Sequence, residues 1–203
     1  MRKITFGHLI VALFFIVVIT VIGWLASRRS SSQDLQVVRS ESARNLTYFH
    51  EIDLVARLSG QTDLRKDNLA KDDIEVRLWN GFGLKPLEGI SLRRISGQWS
   101  AIHVKADNYF EPGRAERKDL PRPKSGWDGV WGRLITADIL TLPDSSTTRC
   151  QLSGIDGMAF VVEINSDMRY RSYAYLHPDM ADCKEATQMM KIFQIVFEEF
   201  GKF

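Results

Sequence analysis

The sequence predicts an α+β fold: an N-terminal transmembrane helix, then an antiparallel β-sheet with helices packed on one face. Three observations predict it. A long apolar run stands near the N-terminus, short strand-like segments joined by tight turns fill the middle, and helical stripes flank those strands instead of alternating with them.

The apolar run extends from Ile4 to Ala26, and only Thr5, His8 and Thr20 are polar within it. At about 1.5 Å per residue it covers the roughly 30 Å of a bilayer core. Trp24 sits near one end, where an indole favours the headgroup region. A cleaved signal peptide would have a shorter run and a small-x-small site, which Trp24 spoils. Arg2 and Lys3 on one side nearly balance Arg28 and Arg29 on the other. The short leading segment has the layout of an uncleaved signal-anchor, so a single pass through the inner membrane is expected with residues 1–3 in the cytoplasm. The expected organisation is an anchor at 4–26, a serine-rich juxtamembrane tether at 27–40 and one extracytoplasmic domain at 41–203.

Charge excludes one class of partner. The 203-residue chain has 27 basic and 25 acidic residues, and no Asp or Glu precedes Asp34. Removing Arg2 and Lys3 leaves 25 of each sign. A neutral domain lacks the basic footprint that nucleic acid requires.

In the domain, Leu46, Phe49, Ile52, Val55 and Ala56 recur at helical spacing, with Gly60 as the stop. The alternative is an extended first strand, since LTYFHEIDLV also alternates in part. Gln61 to Asp73 is charged and reads as a loop. Ile74 to Trp79 alternates apolar with charged residues, the pattern of a half-buried strand. Ile90 to Ile95 and Gln98 to Ala106 form a hairpin turning at Ser96-Gly97. Asp107 to Ser125, with Pro112, Pro121 and Pro123, reads as a long exposed loop. Gly126 to Asp138 carries a helical stripe of Trp127, Val130, Trp131, Leu134 and Ile135. Strands are expected at Arg149 to Leu152, Gly157 to Ile164 and Met168 to Leu176, the last two as a hairpin. Ala181 to Phe200 is an amphipathic helix capped by Asp182, with Met189, Phe193, Val196 and Phe197 in its core stripe.

Cys150 and Cys183 are the only cysteines. In an oxidising compartment they are expected to pair; in the cytosol they would stay as thiols. No CxxC or HxxxH pair exists, so neither a metal site nor a cofactor is expected. Trp79, Trp99, Trp127 and Trp131 are expected to fill the core between sheet and helix. Arg169, Arg171, Tyr173 and Tyr175 share one strand and form a candidate partner surface, since arginine beside tyrosine suits stacking and interface contacts. The alternative, and the preferred reading, is that the tyrosines pack their rings inward and keep their hydroxyls in water. A hydrolase would have to draw its site from scattered residues such as His103, Asp107, Asp128 and His177, since no GxSxG elbow is present.

ILTLPD at Ile139 to Asp144, the turn IDG, the strands FVVEI and RYRSYAYL, and EA near the start of the last helix together define a layout. In that layout the stretch from Trp127 to Phe200 resembles uncharacterised bacterial membrane-anchored envelope proteins of unknown function. The resemblance implies the fold and an envelope location, and no site residues. The first functional expectation is a non-enzymatic binding module, bilayer-anchored through 4–26 and facing an envelope protein or cell-envelope component. An envelope hydrolase and a small-ligand-binding sensory module are the alternatives.

Overall fold

The computed structural model describes residues 42–82, 85–109, 111–150, 158–167 and 169–201. Within them, α1 (Ser42–Leu58) is followed by β1 (Ile74–Gly81), β2 (Glu88–Ile95), β3 (Gln98–Ala106) and β4 (Ala115–Asp119). Then come α2 (Gly126–Thr136), a short 3₁₀ turn (Ser145–Thr147), β5 (Ala159–Ser166), β6 (Arg169–Leu176) and α3 (Lys184–Phe200). The six strands form one antiparallel sheet in the order β4-β3-β2-β1-β5-β6. The α+β class with an antiparallel sheet is as the sequence predicts.

Period-2 alternation divides the strands between two faces. Ile74, Val76 and Leu78 of β1, with Phe160, Val162 and Ile164 of β5, join one core that includes Val130 and Leu134 of α2 and Met189 and Phe193 of α3. Trp79, Val161 and Ala174 belong to a second core with Ile52, Val55 and Ala56 of α1. Helices therefore cover both faces, which corrects the single-face expectation. The reason is Trp79: it shares strand parity with Glu75 and Arg77, and an indole on that side needs a helix over it.

Other expectations change locally. The segment 107–125 contains β4, an edge strand whose sequence AERKD has no apolar alternation because charge protects an exposed edge from foreign pairing. Arg149 and Cys150 are not in a strand, and Gln151 and Leu152 lie outside the described residues. The N-cap of α3 is Cys183, whose sulfur accepts from the Ala186 amide at 3.4 Å, and not Asp182. The anchor expected at Ile4 to Ala26, its flanks and the tether also lie outside the described residues. Among those described, no helix is long and apolar enough to cross a membrane.

Two turns place the later site. Ser96 and Gly97 both take positive φ (50° and 78°), the mirror-image turn that tight hairpins favour. Gly60, at φ 75°, ends α1: the Gly60 amide donates to Arg57 and the Gln61 amide to Ala56. This pair of hydrogen bonds at a left-handed glycine turns the chain sharply and aims Gln61 and Thr62 back over the sheet.

Candidate functional site

The α1-facing side of the sheet is apolar toward one end and polar toward the other. In register, Arg93, Glu75 and Asn165 form one cross-strand row, and Ser91, Arg77 and Glu163 form the next. Glu75, Arg77, Ser91, Glu163 and Asn165 are all buried. The charged segment after α1 covers them: the Thr62 carbonyl accepts from Arg77, and the Leu64 and Asp67 carbonyls accept from Asn165.

Glu75 is the hub. Its Oε1 accepts from Arg77 Nε at 2.7 Å and from Ser91 Oγ at 3.1 Å, while its Oε2 lies 3.2 Å from Arg93 Nε. Glu75 and Arg77 are 3% and 2% exposed. Removing two such charges from water costs about as much as their attraction returns, so stability is a poor reason for keeping them. Beside them opens a cavity of about 160 Å³, lined by Gln61, Arg77, Ser91, Arg93, Ser100 and Arg117 among others. The Gln61 Oε1 is buried there without a hydrogen-bond partner.

Glu163 extends the network on the far side of Arg77. Its carboxyl accepts from Trp79 Nε1 at 2.9 Å and from the Tyr170 hydroxyl at 2.8 Å. Burial raises its pKa above the ordinary carboxylate range, against the opposing pull of Arg77 and these two bonds. The Trp79 ring lies over Gly89, where a Cβ would stand 2.3 Å from the indole. Glycine is thus the residue that lets Trp79 lie flat and reach Glu163.

The strand offered as a candidate partner surface packs its tyrosine rings inward, as the preferred reading has it, but their hydroxyls meet carbonyls and not water. Tyr173 and Tyr175 are 0% and 1% exposed. Tyr173 donates to the Ile139 carbonyl and Tyr175 to the Pro143 carbonyl, each at a normal distance of 2.7 to 2.8 Å. Arg171 donates to the Leu140 and Leu142 carbonyls and stacks over Tyr173. The partner of this ladder is the chain's own ILTLP segment, whose carbonyls follow α2 and need donors. Asp144, next along, accepts from the Ala174 amide at 2.8 Å and so covers part of the β6 edge. Arg169 is the one exposed member of the four.

The hydrolase candidates do not converge. His103 on β3 contacts Glu88 at 3.1 Å, with Lys105 also on Glu88, and His177 follows β6 with Asp179 at 3.9 Å. Four strand steps separate β3 from β6, about 19 Å at roughly 4.8 Å per step. Asp107 lies just past β3, where it accepts from the Arg114 amide, and Asp128 is in the first turn of α2. Of Trp79, Trp99, Trp127 and Trp131, only Trp79 is a buried core residue, in the core under α1. Trp99, Trp127 and Trp131 are half-buried at the margin of the opposite core, with Trp99 packed on Trp127 and Trp131 at 5.9 and 5.3 Å.

Cys150 and Cys183 form a disulfide across 33 residues, tying the segment after the 3₁₀ turn to the start of α3. Glu185 lies close to this pair, but cysteines joined in a disulfide offer no thiolate to a metal.

In the sequence Glu75 and Arg77 read as the polar side of a half-buried strand, and Ser91 and Arg93 only as members of a hairpin strand. A signal was present: IEVRLW places Trp79 in phase with Glu75 and Arg77, and FVVEI places Val161 in phase with Glu163. Large apolar residues in phase with charges mark a covered face. No family model matches this chain, and no curated protein matches it.

Proposed function

We propose that this is a single-pass, membrane-tethered and non-enzymatic binding domain of the cell envelope, with the cavity beside Glu75 as its recognition site. The observation that carries the reading is the Glu75 hub, which fixes two arginines and a serine beside an open cavity at little net gain to the fold. Polar groups held ready before a ligand arrives lower the ordering cost of binding. The lining has no histidine or cysteine to serve as a base or strong nucleophile, and the residues a hydrolase would need are spread over the sheet. The apolar run at 4–26 supports the tether, with the domain outside the cytosol and the N-terminus within. The Cys150–Cys183 disulfide favours that side of the membrane.

The test uses the full chain, extracted from its native membrane in a mild detergent as wild type and as Arg93→Ala. The Arg93 side chain is 48% exposed, so its removal leaves the core intact. A molecule held by the wild type and lost from the variant is the expected result. The same material on both proteins, or none on either, contradicts the reading.

A further inference from the structure

Three guanidiniums, from Arg77, Arg93 and Arg117, line the cavity against the single carboxylate of Glu75. Arg77 and Arg93 both meet Glu75 through Nε, the side of the guanidinium. Of the terminal nitrogens, Arg77 commits Nη1 to the Thr62 carbonyl. Side-on pairing holds each plane still while the two-nitrogen end, the part that grips an oxyanion, is not used on Glu75. Ser100 adds a hydroxyl to the same wall, while Ser91 gives its one proton to Glu75.

Size narrows the class further. The cavity measures about 160 Å³. It falls below the roughly 300 to 1,000 Å³ of sites that enclose drug-sized ligands. A nucleotide or an extended cofactor does not fit inside; the anionic end of a ligand does.

Resting on the reading of this cavity as the recognition site, we infer that it takes an oxyanion, the phosphate or carboxylate end group of a small molecule or of an envelope component. Arg93 grips the anion with its terminal nitrogens, Arg77 offers it Nη2 alone from the floor of the cavity, Arg117 meets it from the edge strand β4, and Glu75 is a positioning residue that sets Arg77 and Arg93.

Inorganic phosphate and succinate are the probes, titrated calorimetrically into the full chain in detergent at low ionic strength. Vesicles carrying phosphatidic acid, set against neutral vesicles, distinguish a lipid headgroup from a free anion. Saturable binding of phosphate or succinate is expected. It should weaken at least tenfold in Arg93→Ala and in Arg117→Ala, recover in part in Arg93→Lys, and stay unchanged in Lys118→Ala, whose side chain has the opposite strand parity on the same edge. Absence of binding by both probes and by the acidic vesicles overturns the inference. So does binding that Lys118→Ala abolishes and the two arginine variants leave intact. A neutral or cationic molecule that co-purifies with wild type and is lost from Arg93→Ala leaves the cavity as the recognition site and overturns only its anionic class.

Discussion

Glu163 shows how one side chain ties the two halves of the covered face together. It is wholly enclosed, bonded to Trp79 on the apolar side and to Tyr170 on the polar side, with Arg77 beside it in the adjacent strand. Its folded pKa is raised, chiefly by burial, above an unfolded value of about 4.3. A raised carboxyl pKa means that the folded state holds the proton more tightly than the unfolded state. The penalty for its charge is therefore absent below the unfolded pKa and grows as pH rises toward the folded one. Glutamine keeps the shape, can accept from Trp79 and can donate to the Tyr170 oxygen, and carries no charge. Glu163→Gln should accordingly gain stability relative to wild type as pH increases from about 4. Urea titrations at several pH values measure that gap; a gap that stays constant with pH would show that Glu163 titrates as it does in the unfolded chain.

At the scale of the elements, α3 docks on the sheet through the stripe its sequence displays. Phe193 is buried and meets Phe160 of β5 edge-on at 4.7 Å, while Lys191 is exposed. Phe193→Ala removes a ring from the middle of the helix, where fraying cannot relieve the defect, and should cost about 3 to 5 kcal/mol. Lys191→Ala should change stability by about 0.5 kcal/mol or less. Equal small effects in urea titration would mean that α3 is not docked as described. A second contact fastens the same helix: Glu199 accepts from the Ser125 amide and hydroxyl, both at 2.8 Å, and from Arg133. Its carboxylate stands at the N-terminus of α2, where negative charge is favoured, and supplies from another helix the cap that Ser125 does not make.

These elements also mark how far the sequence could be read. Helices α1, α2 and α3 and the strands other than β4 were legible because each buries a stripe or an alternating face, and burial leaves a periodic trace. Strand β4 was not, since an edge strand with no buried face needs no apolar residue. The site was hidden for a related reason. A strand reading assigns charged positions to solvent, and Glu75 and Arg77 enter the interior only because Gly60 turns the 61–73 segment over them. That cover acts through the backbone carbonyls of Thr62, Leu64 and Asp67, which carry no side-chain signature. The Arg171, Tyr173 and Tyr175 ladder leaves two readings open in the sequence for the converse reason: side chains that suit an interface suit equally the unpaired carbonyls of their own chain.

For the molecule as a whole, the division of the sheet is the organising feature. One face is given over to stability, with α2 and α3 on a continuous apolar core and the Cys150–Cys183 bond fixing the approach to α3. In the chain-entropy model a loop of that length contributes roughly 3 to 4 kcal/mol. The other face is shared between α1, which covers the apolar half, and the Glu75 network in the polar half. Arg44–Phe203 is one compact unit with its own cores, so a chain begun at Ser27 should fold without the apolar run.

The central claim is that this domain carries a recognition site built before any ligand arrives, and that Glu75 builds it. Arginine side-chain NMR of the ¹⁵N-labelled chain begun at Ser27, recorded without ligand, tests that most directly. The Nε–H signal of buried Arg77 should exchange slowly with water, that of Arg93 should be displaced from the other exposed arginines by its bond to Glu75, and both should lose that distinction in Glu75→Gln. Wild-type signals for the two arginines that coincide with the exposed ones would contradict the account.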